Sequence, residues 1–349
     1  MWEVQCYSVT LQKKIPLAIS RGVRKASNNV FISLSLDSWT GWGEVAPTSD
    51  QPELTPEKIQ REITRFIAAL GIEKSPTKAH ALGMAMQIPR TVYAAIDMAL
   101  WDWWGQKAQL PLYRLWGLPK PSVATSITLG ITPPQEVAEQ LRVKFQEYAF
   151  QALKIKLGNP LGMEADQAMM EAVLQNVPAG VALRVDANGG WTCEQALEMI
   201  PWLAQRSVEY VEQPLKQGDE KNLKSLKKQG QLPIFVDESC HLSTDLKEWH
   251  TWVDGINIKL MKCGGPTEAI KLKHTAQAFG LQTMIGCMSE SSIAISAAAH
   301  LSGDIDHIDL DSHYNLNPDP AQGLFWDAGV TQVSDRPGLG TQLNLKDHA

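Results

Sequence analysis

The sequence predicts a parallel α/β barrel joined to a smaller, antiparallel α+β domain, and three observations predict it. Asp186, Glu212 and Asp237 stand 26 and 25 residues apart, each at the end of a short apolar run, and that interval is one strand plus one helix. Residues 1 to about 45 alternate and turn like an antiparallel sheet instead. With 349 residues the chain exceeds the common single-domain size and suits a barrel-sized domain with a smaller companion.

In the first part, residues 2–9 and 30–36 read as strands of a meander, with Gly41 and Gly43 breaking the pattern ahead of Glu44. From Thr55 to about Trp116 the pattern turns helical, opened by Thr55 as N-cap and Pro56 at the first helical position. Residues 93–102 are apolar all round, which buries that helix. Trp101, Trp103, Trp104 and Trp116 read as core or domain-contact residues rather than a ligand box.

After Pro119 strand and helix alternate. Residues 123–129 form a strand, and Thr132 caps a helix that takes Pro133 at its first position. Residues 151–157 form the next strand, followed by a helix over 163–177 with Ala165, Met169, Ala172 and Val173 as its apolar stripe. Thr192 and Gln195 make a capping box for the helix after Asp186. Ser243 caps the helix after Asp237, and Pro266 opens the one after Lys259. Seven or eight such units close into a barrel. Residues 329–345 return to strand and turn character and are expected to pack back on the N-terminal domain.

A hydrophobic fraction of 44% with 20% charged residues describes an ordinary globular chain. The net charge of -6 argues against nucleic acid or an anionic membrane as partner, since both require clustered Lys and Arg, and favours a small molecule. Five scattered cysteines, odd in number and never in a Cys-x-x-Cys pair, read as reduced thiols of a cytosolic protein. The N-terminus lacks the basic start and apolar stretch of a secretory signal, and no run approaches the roughly 18 apolar residues of a membrane span. The expected location is cytoplasmic, and a homo-oligomer is compatible with the sequence.

The charges in the apolar runs face inward. Lys154 and Lys156 alternate with Leu153, Ile155 and Leu157; Asp186, Glu212 and Asp237 follow Val185, Val211 and Val236; Lys259 lies between Ile258 and Leu260; Asp309 and Asp311 bracket Leu310. In a closed barrel the outer face of each strand lies under helices, so the apolar set points out and its alternates point in. Each charge also stands at the end of its strand, at the C-terminal mouth where such barrels keep their active sites.

Two Asp and one Glu without His or Cys make a hard, oxygen-only metal site that favours Mg²⁺. Asn188 and Glu238, just past two of the ligands, are candidates to orient them. Lys156 and Lys259 come from strands across the barrel from each other, so a substrate held on the metal has one amine on each face. Lys154, on the same face as Lys156, adds a positive charge that disfavours protonation of Lys156. The step that uses this set is removal of a proton α to a carboxylate, with the metal and Lys154 stabilising the enediolate. Removal by one lysine and return by the other inverts the carbon, which favours racemisation or epimerisation.

These residues resemble the enolase superfamily, in the subgroup of muconate lactonizing enzymes, over almost the full length. Gly41 to Glu44, Ala99 to Asp102, Lys154-Ile155-Lys156, Val185 to Asn188, Val211 to Pro214, Asp237-Glu238-Ser239, Lys259 with Gly264-Gly265, and Pro337 to Gly340 all look like its motifs. The resemblance implies a modified TIM barrel, (β/α)7β, over residues 119–328, under an α+β capping domain of residues 1–118 completed by 329–349. It also implies one Mg²⁺ per subunit.

Asp309-Leu310-Asp311 is similar to the motif of the dipeptide epimerases, in which the aspartate pair binds the free ammonium of a dipeptide substrate and the metal holds its carboxylate. Two loops of the capping domain select the side chain there. By position the first is residues 19–29, with Arg21, Arg24 and Lys25, and the second lies near residues 48–51. Arg24 matches the arginine that holds a glutamate side chain, so the resemblance implies an L-Ala-D/L-Glu epimerase serving salvage of cell-wall peptide. A muconate-type cycloisomerase or an o-succinylbenzoate synthase on the same frame is the alternative, and a non-catalytic binding protein a more distant one. Gly286 to Glu290 is familiar in outline, without roles for Ser289 and Glu290.

Overall fold

The computed structural model describes residues 1–47 and 51–344. The N-terminal domain opens with a three-stranded antiparallel sheet: β1 (Glu3–Ile19), β2 (Gly22–Leu36) and β3 (Trp39–Val45). Here β1 runs ten residues beyond the predicted end at Val9. Lys13, Lys14 and Pro16 spoil its alternation, but pairing with β2 carries the strand on, and a register shift between Gln12 and Leu17 absorbs the proline. The segment expected as a loop over residues 19–29 is therefore the tip and return strand of a long hairpin.

Gly41 and Gly43 do not break β3. They let it lie directly on a helix, since a Cβ at either position would collide with the carbonyl of Ala99 or Ala95. Four helices follow: α1 (Pro56–Leu70), α2 (Pro76–Ala85), α3 (Arg90–Ala108) and α4 (Leu112–Leu115). Thr55 caps α1 through its side chain, as predicted. Residues 93–100 of α3 are buried all round, between the sheet and the barrel.

Two carboxylates in α3 make that burial tolerable. Asp97 accepts from Thr267 N and Oγ1 at 2.7 and 2.8 Å, and Asp102 accepts from Trp42 N and Leu339 N at 2.8 Å each. Burial pushes their carboxyl groups up, to about 7 for Asp97 and about 6 for Asp102. Trp103 belongs to the core of this domain, while Trp101 donates to Thr267 across the domain contact at 2.9 Å.

The barrel comprises β4 (Ser126–Leu129), α5 (Pro134–Glu147), β5 (Ala152–Lys156), α6 (Met163–Asn176), β6 (Ala182–Asp186), α7 (Cys193–Ala204), β7 (Val208–Glu212), α8 (Leu223–Gln229), β8 (Ile234–Val236), α9 (Leu246–Trp249), β9 (Gly255–Ile258), α10 (Leu260–Cys263), α11 (Pro266–Ala278), β10 (Gln282–Gly286), α12 (Ser292–Leu301) and β11 (His307–Asp309). The eight strands are parallel and pair in chain order. A parallel bridge from Thr125 to Ile308 closes the ring, helped by Leu310 N donating to Thr125 Oγ1 at 2.8 Å. A short 3₁₀ turn replaces the eighth helix, so the fold is the expected (β/α)7β form.

Local caps differ in detail. The Thr192–Gln195 capping box is present. Helix α5 starts one residue later than predicted, and Thr132 bonds to Gly130 O and Gln140 instead of capping it. Ser243 opens a 3₁₀ turn and donates to Glu268 at 2.7 Å.

The C-terminal segment divides later than expected. Gly329 O accepts from Thr125 N, and the hairpin of Phe325–Asp327 with Val330–Gln332 lies against the floor of the barrel. The residues around Gly338 and Leu339 reach α3, and they also meet α12, where Ser296 Oγ donates to Leu339 O at 2.7 Å. Among the described residues no helix is long and apolar enough to cross a membrane. The five cysteines are unpaired.

Candidate active site

Leu153, Ile155, Val185, Val211, Val236, Ile258 and Leu310 are all buried in the layer between strands and helices, so their alternates turn inward as predicted. Lys156, Asp186, Glu212 and Asp309 are the final residues of β5, β6, β7 and β11, and Asp237 and Lys259 come directly after β8 and β9. All six, together with Lys154, gather at the C-terminal mouth. Beneath them Tyr210, Phe235 and Met284 fill the barrel, with the Tyr210 ring 4.6 Å from Phe235 and 4.9 Å from His307, and this floor keeps water out from below.

The carboxylates of Asp186, Glu212 and Asp237 are buried, and one oxygen of each lies within 4.8 Å of the others. Three converging anionic oxygens in a dry site suit a hard divalent cation. Lysines neutralise them pairwise: Lys156 Nζ is 2.6 Å from Asp186, Lys154 Nζ 2.6 Å from Glu212, and Lys259 Nζ 2.6 Å from Asp237. In the ring of eight strands β5 and β9 stand four apart, so Lys156 and Lys259 face each other across the barrel with the carboxylates on the arc between.

The buried charges set one another's protonation. Burial pushes Glu212 up to about 7, aided by Asp186 and Asp237. Burial acts the same way on Asp237, but Lys259 and Lys262 outweigh it and hold that carboxyl below its ordinary range. Lys154 is fully buried, which works against its charge, yet Asp309, Glu212 and Asp186 hold its ammonium well above the usual lysine range. Asp237 and Glu212 raise the Lys259 ammonium in the same direction, so it is position in the ring that distinguishes Lys154 from Lys259.

Asp309 and Asp311 do not act as a free pair. Asp309 Oδ2 meets Lys154 Nζ at 2.7 Å, and Asp311 Oδ2 accepts from Thr128 N at 2.7 Å, because β11 ends between them and the chain turns. Both still line the cavity, and Asp309 Oδ1 is buried without a partner. Asn188 donates to Asp186 through its backbone at 2.8 Å and its side chain at 3.1 Å. Glu238 pairs with Arg21 at 2.8 Å and accepts from Asn188 Nδ2 at 3.4 Å, so it ties the hairpin to the residue that holds Asp186.

The hairpin crosses the mouth as a cover. Ala18 O accepts from Ile131 N at 2.8 Å, and at the tip Ser20 and Arg21 donate to Asn188 O at 3.0 and 3.2 Å. Arg21 is thereby engaged and Lys25 is exposed; both Arg21 and Arg24 lie on the cavity wall. Of the second segment, residues 48–50 lie outside the described residues, and Gln51 lines the cavity.

Several site residues carried no prediction. Asn257 Nδ2 donates to Glu212 Oε1 at 2.7 Å, Lys262 Nζ lies 2.6 Å from Asp237 Oδ1, and Gln213 Oε1 accepts from Asp237 N at 2.8 Å. Asn257 was legible: it precedes Lys259 by two, as Lys154 precedes Lys156, so both face inward.

Glu44 was seen only as the end of a motif. Its buried carboxylate accepts from Asn29 Nδ2 at 2.6 Å, from Ser291 N and Oγ at 3.0 and 2.6 Å, and from Ala294 N at 3.2 Å, at the start of α12. Asn29 also donates to Ser289 O at 2.8 Å, and Glu290 accepts from Met288 N at 2.8 Å. The carbonyl of Ser289 and the carboxylate of Glu290 thus shape the loop that lines the cavity at Cys287, Met288 and Ser289. Glu44→Ala removes the acceptor of four buried donors and is expected to lower stability by roughly 2–4 kcal/mol, read as a fall of several degrees in Tm. A Tm within a degree of wild type would show that the donors find other partners.

The cavity has a volume of about 1220 Å³ and is lined by the charged residues, by Leu54, Met84, Ile88 and Pro89 of the N-terminal domain, and by Met261 of α10. It holds a molecule of dipeptide size with room to spare.

Comparison with known proteins agrees with this arrangement. Residues 1–117 match the family described as "Mandelate racemase / muconate lactonizing enzyme, N-terminal domain", and residues 136–348 match "Enolase C-terminal domain-like". A protein of a Flavobacteria bacterium named "Hydrophobic dipeptide epimerase" is 51% identical over 98% of this chain and 99% of its own length. An "L-Ala-D/L-Glu epimerase" of Bacteroides thetaiotaomicron is 33% identical over 91% of this chain and 82% of its own. Among solved structures, the dipeptide epimerase from Enterococcus faecalis V583 complexed with Mg and L-Leu-L-Tyr superposes with a TM-score of 0.89 at 34% identity, over 97% of this chain and 99% of that one.

Proposed function

The chain belongs to the mandelate racemase and muconate lactonizing enzyme family of the enolase superfamily, and from that premise we propose that it is a Mg²⁺-dependent dipeptide epimerase. It inverts the α-carbon of the C-terminal residue of dipeptides whose C-terminal side chain is hydrophobic. The observation that carries this reading is the placement of Lys156 and Lys259 on opposite sides of one carboxylate cluster.

Mg²⁺ held by Asp186, Glu212 and Asp237 would supply positive charge to the carboxylate end of the substrate, where negative charge grows as the α-proton leaves. Lys156 Nζ removes or returns that proton on one face, and Lys259 Nζ does so on the other. Lys154, kept charged by three carboxylates, holds the second negative charge of the enediolate without exchanging a proton. Asp309 and Asp311 receive the substrate ammonium, and the cation in that place replaces part of what Lys154 and Thr128 now supply. The hairpin above and the aromatic floor below keep the reaction out of bulk water.

The acidic second residue expected from Arg24 gives way to a hydrophobic one for two reasons. Leu54, Met84, Ile88, Pro89 and Met261 give the cavity an apolar stretch, and Arg90 beside them donates to Lys262 O at 2.8 Å. The Flavobacteria relative at 51% identity is named for hydrophobic dipeptides, whereas the L-Ala-D/L-Glu relative stands at 33%.

In D₂O with Mg²⁺, L-Ala-L-Leu and L-Leu-L-Tyr should exchange the C-terminal α-proton and accumulate the L,D epimer, at least about tenfold faster than L-Ala-L-Glu. Absence of exchange in all three sinks the epimerase reading. Faster exchange in L-Ala-L-Glu sinks only the side-chain preference.

A further inference from the structure

The cavity has a second charged end, and what it could bind deepens the reading above and rests on it. In β1 Lys14 turns outward to Glu147 at 2.6 Å, and Lys13 turns in and lines the cavity. The backbone there is pinned: Lys13 bridges Leu316, and Asn315 holds both polar groups of Ile15 at 2.9 and 2.8 Å. Lys144, one helical turn before Glu147 on α5, lines the same cavity, as do Arg24 and Asp311.

Neither Lys13 nor Lys144 has an ion-pair or hydrogen-bond partner for its ammonium among the described residues. Burial pulls both ammonium groups below the ordinary lysine range; Asp311 counters this for both, with Cys287 beside Lys13 and Glu147 beside Lys144. Asp311 is already engaged by Thr128 N and Asp309 by Lys154. Lys13, Lys144 and Arg24 thus share this cavity with two carboxylates, each of which has one oxygen already engaged.

Cations withdrawn from water without a counter-ion are unfavourable until an anion joins them. The substrate's α-carboxylate lies at the other end of the cavity, and its ammonium goes to Asp309 and Asp311. The group that remains near Lys13 and Lys144 is the side chain of the N-terminal residue. We propose that Lys13 and Lys144, with Arg24 beside them, bind a carboxylate on that side chain, so that dipeptides with an acidic first and a hydrophobic second residue are favoured substrates.

The test compares kcat/KM for C-terminal α-proton exchange of L-Glu-L-Leu, L-Gln-L-Leu, L-Lys-L-Leu and L-Ala-L-Leu, using the full chain with Mg²⁺. L-Glu-L-Leu should exceed its isostere L-Gln-L-Leu at least about tenfold, mainly through KM, and L-Lys-L-Leu should be the poorest. The Glu-to-Gln ratio should fall below about threefold in Lys13→Met and in Lys144→Met. Equal use of the two isosteres by the wild type overturns the inference, and so does a preference that survives both substitutions. In either case exchange of L-Ala-L-Leu leaves the epimerase reading standing, whereas silence with every dipeptide removes that reading too.

Discussion

Lys156→Ala and Lys259→Ala are each expected to lower epimerisation at least about 10³-fold, a barrier increase of roughly 4 kcal/mol or more. The loss should be asymmetric in a way that general damage is not. Each variant keeps the amine on one face, so it should still wash deuterium into one epimer of the dipeptide while failing to convert it to the other. Lys156 and Lys259 should differ in which epimer they spare, because they stand on opposite strands of the ring. Exchange measured separately from L,L and L,D substrates checks this. Loss of both exchanges in both variants would sink the two-lysine scheme, and full epimerisation by either variant would remove that lysine from it.

The second large effect concerns the carboxylate cluster. Glu212 has Asp186 and Asp237 as neighbours and burial on all sides, and these together push its carboxyl up to about 7. A divalent cation relieves that repulsion. Mg²⁺ at about 100 times its Kd is expected to stabilise the wild type by roughly 2.7 kcal/mol and raise its Tm. Glu212→Gln keeps the shape and removes one of the three charges, so binding read by calorimetry should weaken at least about 10²-fold and the rise in Tm at the same Mg²⁺ should vanish. A full thermal shift in Glu212→Gln would show that the ion binds elsewhere. EDTA should abolish exchange, and restored Mg²⁺ should return it.

Much of this site was legible from residue order alone. A strand alternates with period two and a barrel buries its outer face, so Leu153, Ile155 and Val185 announce that Lys154, Lys156 and Asp186 point inward. The charge order along the chain became an order around the ring because the strands pair in sequence. Less was legible where one segment's conformation depends on another. Pairing with β2 extends β1 through Lys13, Lys14 and Pro16, which no local propensity favours. Gly41 and Gly43 read as breaks until α3 is laid against them. Glu44 and Asn29 gain their partners from residues about 250 positions away, and nothing in their own neighbourhood shows it.

The sequence by itself determined the barrel, its mouth and the identity of the charges gathered there, because those follow from period and interval, which are local properties of a chain. Only the tertiary structure decided how the charges are shared. It spent Arg21 on Glu238, turned Asp311 toward Thr128, brought Leu54, Met84 and Ile88 to the cavity and left Lys13 and Lys144 lining it without an ion pair among the described residues. The physical reason is that a charge's effect depends on distance and desolvation in space. Those are fixed where the N-terminal hairpin closes over the barrel, between residues far apart in the chain.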